Sequence, residues 1–315
     1  MALGRHIPVL VDEVVDALQV APGGRYCDGT IGGGGHARCI LQHSAPDGVL
    51  VGLDRDPDAI RRVAGPLSAF RDRVRLCHGN FAEVVALLTK LGMIPVDGVL
   101  LDLGVSSFHF DQPERGFSFS NDGPLDMRMD PTESIPDAAQ LIAQLSEQEL
   151  SRLIHEYGEE PSSRRIARAI KQAQDQGQIR GTSDLARVVS VAVGGRAPRR
   201  YSKIHPATRT FMALRMAVND ELGSLRRFLE TFTETLRPGG RVAVIAFHSL
   251  EDRAVKQAFA QLANPCTCPP GLPYCCCGRQ PVLSLVTRRP LRPGVAELSV
   301  NPRSRSARLR VAERL

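Results

Sequence analysis

The chain has 315 residues, 43% hydrophobic and 23% charged, a globular composition with material for one large domain or two ordinary ones. No apolar run is long enough to span a membrane as a helix, which excludes an integral helical membrane protein. A net charge of +6 favours a polyanionic partner without identifying one.

The opening stretch MALGRHIPVLVDEVVDAL mixes acids into its apolar residues, so we expect no signal peptide and a cytoplasmic location. In that compartment the eight cysteines read as thiols or metal ligands. The first predicted strand lies in GGRYCDGTIG and ends at Asp28. Four glycines and a helix, HARCILQHS, follow. A second strand in DGVLVGLDRD ends at Asp54, and DAIRRVAGPLSAF is helical. The strands of RVRLCHGNF and VDGVLLDLGVSS end near Asn80 and Asp102, with the helix AEVVALLTKLG between them. Apolar strands alternating with helices predict βαβ units and a doubly wound, mostly parallel sheet.

Between Phe108 and about Ala207 the strand pattern stops. PDAAQLIAQL, SEQELSRLIHEYG, SSRRIARAIKQAQDQG and TSDLARVVSVAVG all have helical spacing, and Ser146 with Glu149 forms a capping box. We therefore expect an all-helical insert over 109–207 in a sheet domain built from 1–108 and 208–315. Inserts of this kind leave from the carboxyl ends of strands, where open α/β sheets bind ligands. The sheet pattern then resumes with a helix in LGSLRRFLETFTETL, a turn at RPGG and a buried strand in RVAVIAFHS. VLSLVTRR and ARLRVAER complete it as an antiparallel pair at the sheet edge.

The stretch DGTIGGGG carries the first functional signal. Each glycine in a row costs backbone entropy, so the pattern predicts close approach of a ligand to the backbone. Strand, glycine loop and helix together set an anionic group at the helix N-terminus. Asp54, closing the next strand, sits where a carboxylate accepts both ribose hydroxyls. The loop is not the G-x-G-x-x-G of a dinucleotide site, which makes an NAD-dependent oxidoreductase the poorer alternative. Its early acid and compact glycines suit S-adenosyl-L-methionine, whose carboxylate needs a helix N-terminus and whose amine needs an acceptor. Asp102 ends a buried apolar strand and needs a partner to offset its desolvation.

HIPVLVDEV, DGTIGGGGHA, LDRDPDAI, LLDLGVSSFHFDQPERGFSF, DGPLDMRMD, HPATRTFMALRMAVNDEL, LRPGGRVAVIAFHSLEDRAVK and NPRSRSARLRVAE together span nearly the whole chain. On these stretches the chain resembles the RsmH (MraW) methyltransferases. The resemblance implies a class I methyltransferase, Rossmann-like sheet with a helical RNA-recognition insert. It also implies S-adenosylmethionine-dependent methylation of N4 of a specific cytidine in the decoding region of 16S (small-subunit) ribosomal RNA. The substrate would be an assembled or nearly assembled subunit, and the enzyme is compatible with a homodimer. A non-catalytic ribosome-assembly factor that binds S-adenosylmethionine is the alternative, and product formation separates the two.

Carried over by position, the implied cofactor contacts are Gly34, Gly35, His36, Asp54, Phe81 beside the adenine, Asp102 and His109. The implied catalytic residues are Asp102 and Ser106. Cytosine N4 is a poor nucleophile because its lone pair is delocalised into the ring. Acceptors around its amino hydrogens favour the tetrahedral nitrogen of the transition state. Amino-methyltransferases of DNA carry a D/N/S-P-P-Y/F signature at this place. DLGVSS lacks the two prolines and the aromatic, so the base is held otherwise, with Phe108 and Phe110 as candidates.

Three basic tracts, SSRRIARAIK, GGRAPRRYSKIHPATR and NPRSRSARLR, are expected to meet RNA phosphates. In CTCPPGLPYCCC, Cys266 and Cys268 with two of Cys275, Cys276 and Cys277 offer four thiolates to zinc. The spacing is not C-x-x-C, and a proline-rich loop of reduced thiols fits the same residues, so no metal is assigned from sequence.

Overall fold

The computed structural model describes residues 7–194, 205–269, 274 and 276–315. Seven strands form one sheet: β1 (Arg25–Asp28), β2 (Val49–Asp54), β3 (Val74–His78), β4 (Val96–Asp102), β5 (Leu236–Ala246), β6 (Leu283–Leu285) and β7 (Arg308–Arg314). Their order is β3-β2-β1-β4-β5-β7-β6. The first five run parallel, and β7 pairs antiparallel with both β5 and β6. This is the doubly wound, mostly parallel sheet with an antiparallel edge hairpin that the apolar pattern predicts.

Side-chain alternation explains why both sheet faces are covered. Val51, Leu53, Val99, Leu101, Val242 and Val244 point to one face, where helices Val84–Lys90, Glu221–Thr231 and Ser249–Ala263 bury them. Leu50, Leu100, Ala243, Ile245, Leu309 and Val311 point to the other, under helices Val11–Leu18, Gly35–His43 and Pro57–Ala64. A period of two, with both faces apolar, is the signature of a buried parallel sheet. The RPGG stretch is not the simple turn the sequence predicts. β5 runs through it, and the register slips between the pairs Val96↔Leu236 and Gly98↔Arg241. A bulge absorbs the extra residues while pairing continues.

The chain divides into two compact units, Met1–Gly104 with Leu222–Leu315, and Val105–Glu221. The second unit is wholly helical among its described residues outside loops. Its core takes Leu150 and Ile154 from helix Glu147–Gly158, and Ile166 and Ile170 from helix Ser163–Asp175. Leu185 and Val189 of helix Thr182–Val193 complete that layer. The i, i+4 spacing gives each helix one apolar face. Ser146 and Glu149 make the reciprocal capping box that the sequence predicts. The helical unit is larger than the expected 109–207. Helix Thr208–Val218 belongs to it because Phe211, Leu214 and Val218 are buried in its core. None of the described helices is long and apolar enough to cross a membrane.

Candidate functional site

Parallel register aligns the strand ends. Asp28 stands opposite Gly52 and Leu100, Asp54 opposite His78, and Asp102 opposite Ile245. Three carboxylates therefore share the carboxyl edge of the sheet. β1 and β4 mark the point where strand order reverses, which is where open α/β sheets bind ligands.

The glycine loop is tied to that edge by its own backbone. Asp28 Oδ1 accepts from the Thr30 N–H at 3.1 Å, and Thr30 Oγ1 accepts from the Asp102 N–H at 2.6 Å. Thr30 thus couples the ends of β1 and β4. The Gly32 N–H donates to Asp54 Oδ2 at 2.8 Å, and the Asp56 N–H donates to Asp54 Oδ1 at 2.8 Å. Asp54 accordingly orders the loop as well as presenting a carboxylate at the end of β2. Gly34 is the N-cap of helix Gly35–His43 with φ of +76°, and no side chain caps that helix. A Cβ at Gly35 would lie 2.6 Å from Pro8 Cγ. With Gly32 at φ of +50°, three of the four glycines are demanded by the chain's own turn and packing, beside any ligand that approaches them. Pro8 lies in the HIPVL stretch, so the glycine loop and that motif fit each other.

His36 is buried at this helix N-terminus. Its Nε2 lies 2.8 Å from the Val9 carbonyl, which fixes Nε2–H as the donor, and Nδ1 lies 3.8 Å from Asp102 Oδ2. Burial lowers the imidazole below its ordinary value, against the opposing pull of Asp28. Asp28, 1% exposed, is pushed up to about 7 by burial, partly offset by His36. Asp102 is likewise raised to about 7 by burial and by the charge of Glu251. Its Oδ1 is buried without a hydrogen-bond partner among the described residues. Such an orphaned buried acceptor at the carboxyl edge of the sheet calls for a cationic or hydrogen-bonding partner.

Two contributors escape a reading of the sequence alone. Asp28 is visible there as a strand end, but its full burial is not. Glu251, also buried, accepts from the Phe247 N–H at 2.9 Å, and its Oε1 lies 3.1 Å from His248 Nε2. Its signal is present in FHSLEDR, where His248 caps helix Ser249–Ala263 and the acid follows at capping-box spacing.

Phe81 follows β3, half-buried, with its ring edge-on to Phe228 at 6.0 Å and 83°. Asn80 caps the turn that Phe81 opens and donates from Nδ2 to Ser224 Oγ at 3.0 Å. Ser106 and His109 lie in the helical unit. Ser106 Oγ accepts from the Phe108 N–H at 3.4 Å as the N-cap of helix Ser107–Asp111. His109 is buried with its ring 4.8 Å from Phe117. Phe108 is half-buried, and Phe110 lies on the surface. In the same unit Asn219 joins two sequence motifs. Its Nδ2 donates to the Met127 carbonyl and its Oδ1 accepts from the Met129 N–H, both at 2.7 Å.

The basic tracts separate on inspection. Arg308 and Arg310 hold Asp252 at 3.0 and 2.7 Å, so they are engaged in the fold, leaving Arg303 and Arg305 exposed in NPRSRSARLR. Arg164, Arg165 and Arg168 are exposed on helix Ser163–Asp175, though Arg168 is paired with Glu147 at 3.3 Å. Most of GGRAPRRYSKIHPATR, including Arg199 and Arg200, lies outside the described residues.

The model of the MraW methylase family matches residues 4–315. Proteins named ribosomal RNA small subunit methyltransferase H from Symbiobacterium thermophilum and Syntrophotalea carbinolica are 53% and 52% identical to this chain. The alignments cover 98% and 99% of this chain and 96% and 98% of those proteins. A protein of the same name from Citrifermentans bemidjiense is 52% identical over 98% of each chain.

Proposed function

The chain belongs to the MraW methylase family and is an S-adenosylmethionine-dependent methyltransferase, and from that premise we propose that it methylates N4 of a cytidine in the decoding region of small-subunit ribosomal RNA. The observation that supports the site is the convergence of Asp28, Asp54, Asp102 and an uncapped helix N-terminus on one sheet edge.

The residues at this edge fit the cofactor group by group. The free N–H groups of the helix start at Gly35 and His36 suit its carboxylate. Asp54, at the carboxyl end of β2, suits the ribose hydroxyls. Asp28 and Asp102 supply negative charge for its ammonium and sulfonium, and Phe81 supplies an apolar surface for its adenine. When bound, the cofactor supplies a methyl group already activated on a sulfonium.

The remaining chemistry falls to the chain. Asp102, with an oxygen that no other described group uses, accepts a hydrogen bond from the cytosine amino group. That bond favours the tetrahedral nitrogen and stabilises the positive charge that develops on it. The carboxylate, ionised when the cationic cofactor is bound, also takes up the proton that nitrogen loses. The family resemblance further implies roles for Ser106 and His109 of the helical unit. Exposed Arg164, Arg303 and Arg305 meet phosphates, and the target base is unstacked to reach the methyl donor.

The test is nucleoside mass spectrometry of ribosomal RNA incubated with the purified protein and S-adenosylmethionine. Small subunits, naked small-subunit RNA and free cytidine are compared as substrates. N4-methylcytidine in the small-subunit RNA, formed best on assembled subunits, is expected. A methyl group on cytosine C5, or on protein, would overturn the substrate assignment.

A further inference from the structure

The connection from helix Ser249–Ala263 to β6, residues 264–282, contains no helix or strand among its described residues. Connections longer than about 12–15 residues without regular structure are uncommon in compact domains unless something else orders them. Hydrogen bonds pin both ends of this one: the Asn264 N–H donates to the Ala260 carbonyl, and the Val282 N–H to the Leu262 carbonyl, each at 2.9 Å. Between these ends lie the cysteines that the methyl-transfer reaction does not use.

Three of their sulfurs converge, and a fourth lies beside one of them. The Sγ atoms of Cys266, Cys268 and Cys277 all lie within 4.8 Å of one another. Cys268 Sγ is 3.7 Å from Cys276 Sγ and accepts from the Cys276 N–H at 3.4 Å. None of these residues is in a disulfide. Zinc bound tetrahedrally to thiolates, with bonds of about 2.3 Å, holds its sulfurs about 3.8 Å apart, so the Cys268–Cys276 spacing is that of a coordinated pair. A backbone N–H donating to a sulfur further stabilises the thiolate form that a metal requires. Of the three consecutive cysteines, Cys276 and Cys277 lie near Cys268, and Cys275 lies outside the described residues.

We propose that Cys266, Cys268, Cys276 and Cys277 form a structural zinc site that staples the 264–282 connection beside the edge strand β6. Four soft thiolate donors select zinc over magnesium or calcium, and a closed set of four protein ligands leaves no open position for catalysis. Each sulfur gives up its proton to solvent as its bond to zinc forms, so binding is redox-neutral and weakens at low pH.

The full chain, purified under reducing conditions without chelator, should carry about one zinc by elemental mass spectrometry. Replacing the zinc with cobalt should give thiolate-to-cobalt charge-transfer absorption and the strong visible bands of a tetrahedral site. Cys268→Ser and Cys277→Ser should each remove both signals, while Cys39→Ser in the glycine-loop helix leaves them intact. Chelation of the wild-type protein should lower its melting temperature and expose 264–282 to proteolysis, with affinity for S-adenosylmethionine unchanged. This last measurement keeps the proposal testable if a cysteine variant does not fold. Absence of zinc after incubation with zinc chloride and reductant would overturn it. Metal that persists in the Cys268→Ser, Cys277→Ser double variant would do the same.

Discussion

His36 presents Nδ1 to Asp102 Oδ2 at 3.8 Å while its Nε2 is held by the Val9 carbonyl at 2.8 Å. The buried imidazole is thus fixed in one orientation, and burial lowers it below its ordinary value against the pull of Asp28. Burial raises Asp28 and Asp102, which retain protons up to about 7, against an ordinary value of 3.8. Because the fold holds protons that the unfolded chain has released, their contribution to the cofactor-free protein is present below about pH 4 and is lost as pH rises to about 7. Binding of a cation favours the ionised carboxylates. S-adenosylmethionine should therefore bind more tightly as pH rises through 7 and release protons on binding there. Calorimetry at pH 7 in buffers of different ionisation enthalpy measures this release, and a value of zero would remove both residues from the cofactor site.

Asp54→Ala should weaken S-adenosylmethionine by about 2–3 kcal/mol, the scale of charged hydrogen bonds lost. It should also reduce the melting temperature, since Gly32 and Asp56 each lose an acceptor. Unchanged affinity in the folded variant would show that Asp54 serves only the loop.

Asp102→Ala should reduce turnover by on the order of a hundredfold at saturating cofactor, as expected for a buried group that stabilises developing charge. Asp102→Asn keeps an acceptor oxygen but no negative charge, and should fall between Ala and wild type. Single-turnover methylation of small subunits separates this loss from weaker cofactor binding. Equal rates for Asp102→Ala and wild type would exclude a role in the chemistry.

Gly35→Ala places a methyl group 2.6 Å from Pro8 Cγ. Overpacking of this kind costs about 1–3 kcal/mol. Chemical denaturation should show the loss, and Pro8→Ala in the same chain should recover part of it. Failure of that rescue would mean that the strain is relieved elsewhere.

Asn219→Ala leaves the Met127 carbonyl and the Met129 N–H without their partner. A cost of about 1–3 kcal/mol follows for the buried Met127 carbonyl, with less for the part-buried Met129 N–H. Hydrogen exchange should show the loss in the helical unit, with protection of the seven-stranded sheet retained. Equal loosening of both units would contradict the assignment.

Much of this protein is legible without its structure. Apolar runs closed by Asp28, Asp54 and Asp102 specify strands that end in acids, and the alternation of strands with helices specifies a parallel sheet with those acids on one edge. The change to helical spacing after Phe108 marks the insert, and Ser146 with Glu149 marks a helix start, because both signals are local. Motifs spread along the chain point to the same methyltransferase family that the comparisons establish.

The tertiary structure decided what those residues meet. Periodicity in Thr208–Val218 declares a buried face but not which core buries it, and the fold assigns Phe211 and Leu214 to the helical unit. The arginines of NPRSRSARLR look alike as a charge run, yet Arg308 and Arg310 are taken by Asp252 across the sheet edge. Pro8 against Gly35, Val9 against His36 and Cys268 against Cys276 are likewise contacts between residues whose spacing carries no local signal. The protonation of Asp28 and Asp102 belongs to this second class. Desolvation is a property of the assembled neighbours around a carboxyl, and the sequence names the carboxyl without showing how much water the fold removes from it.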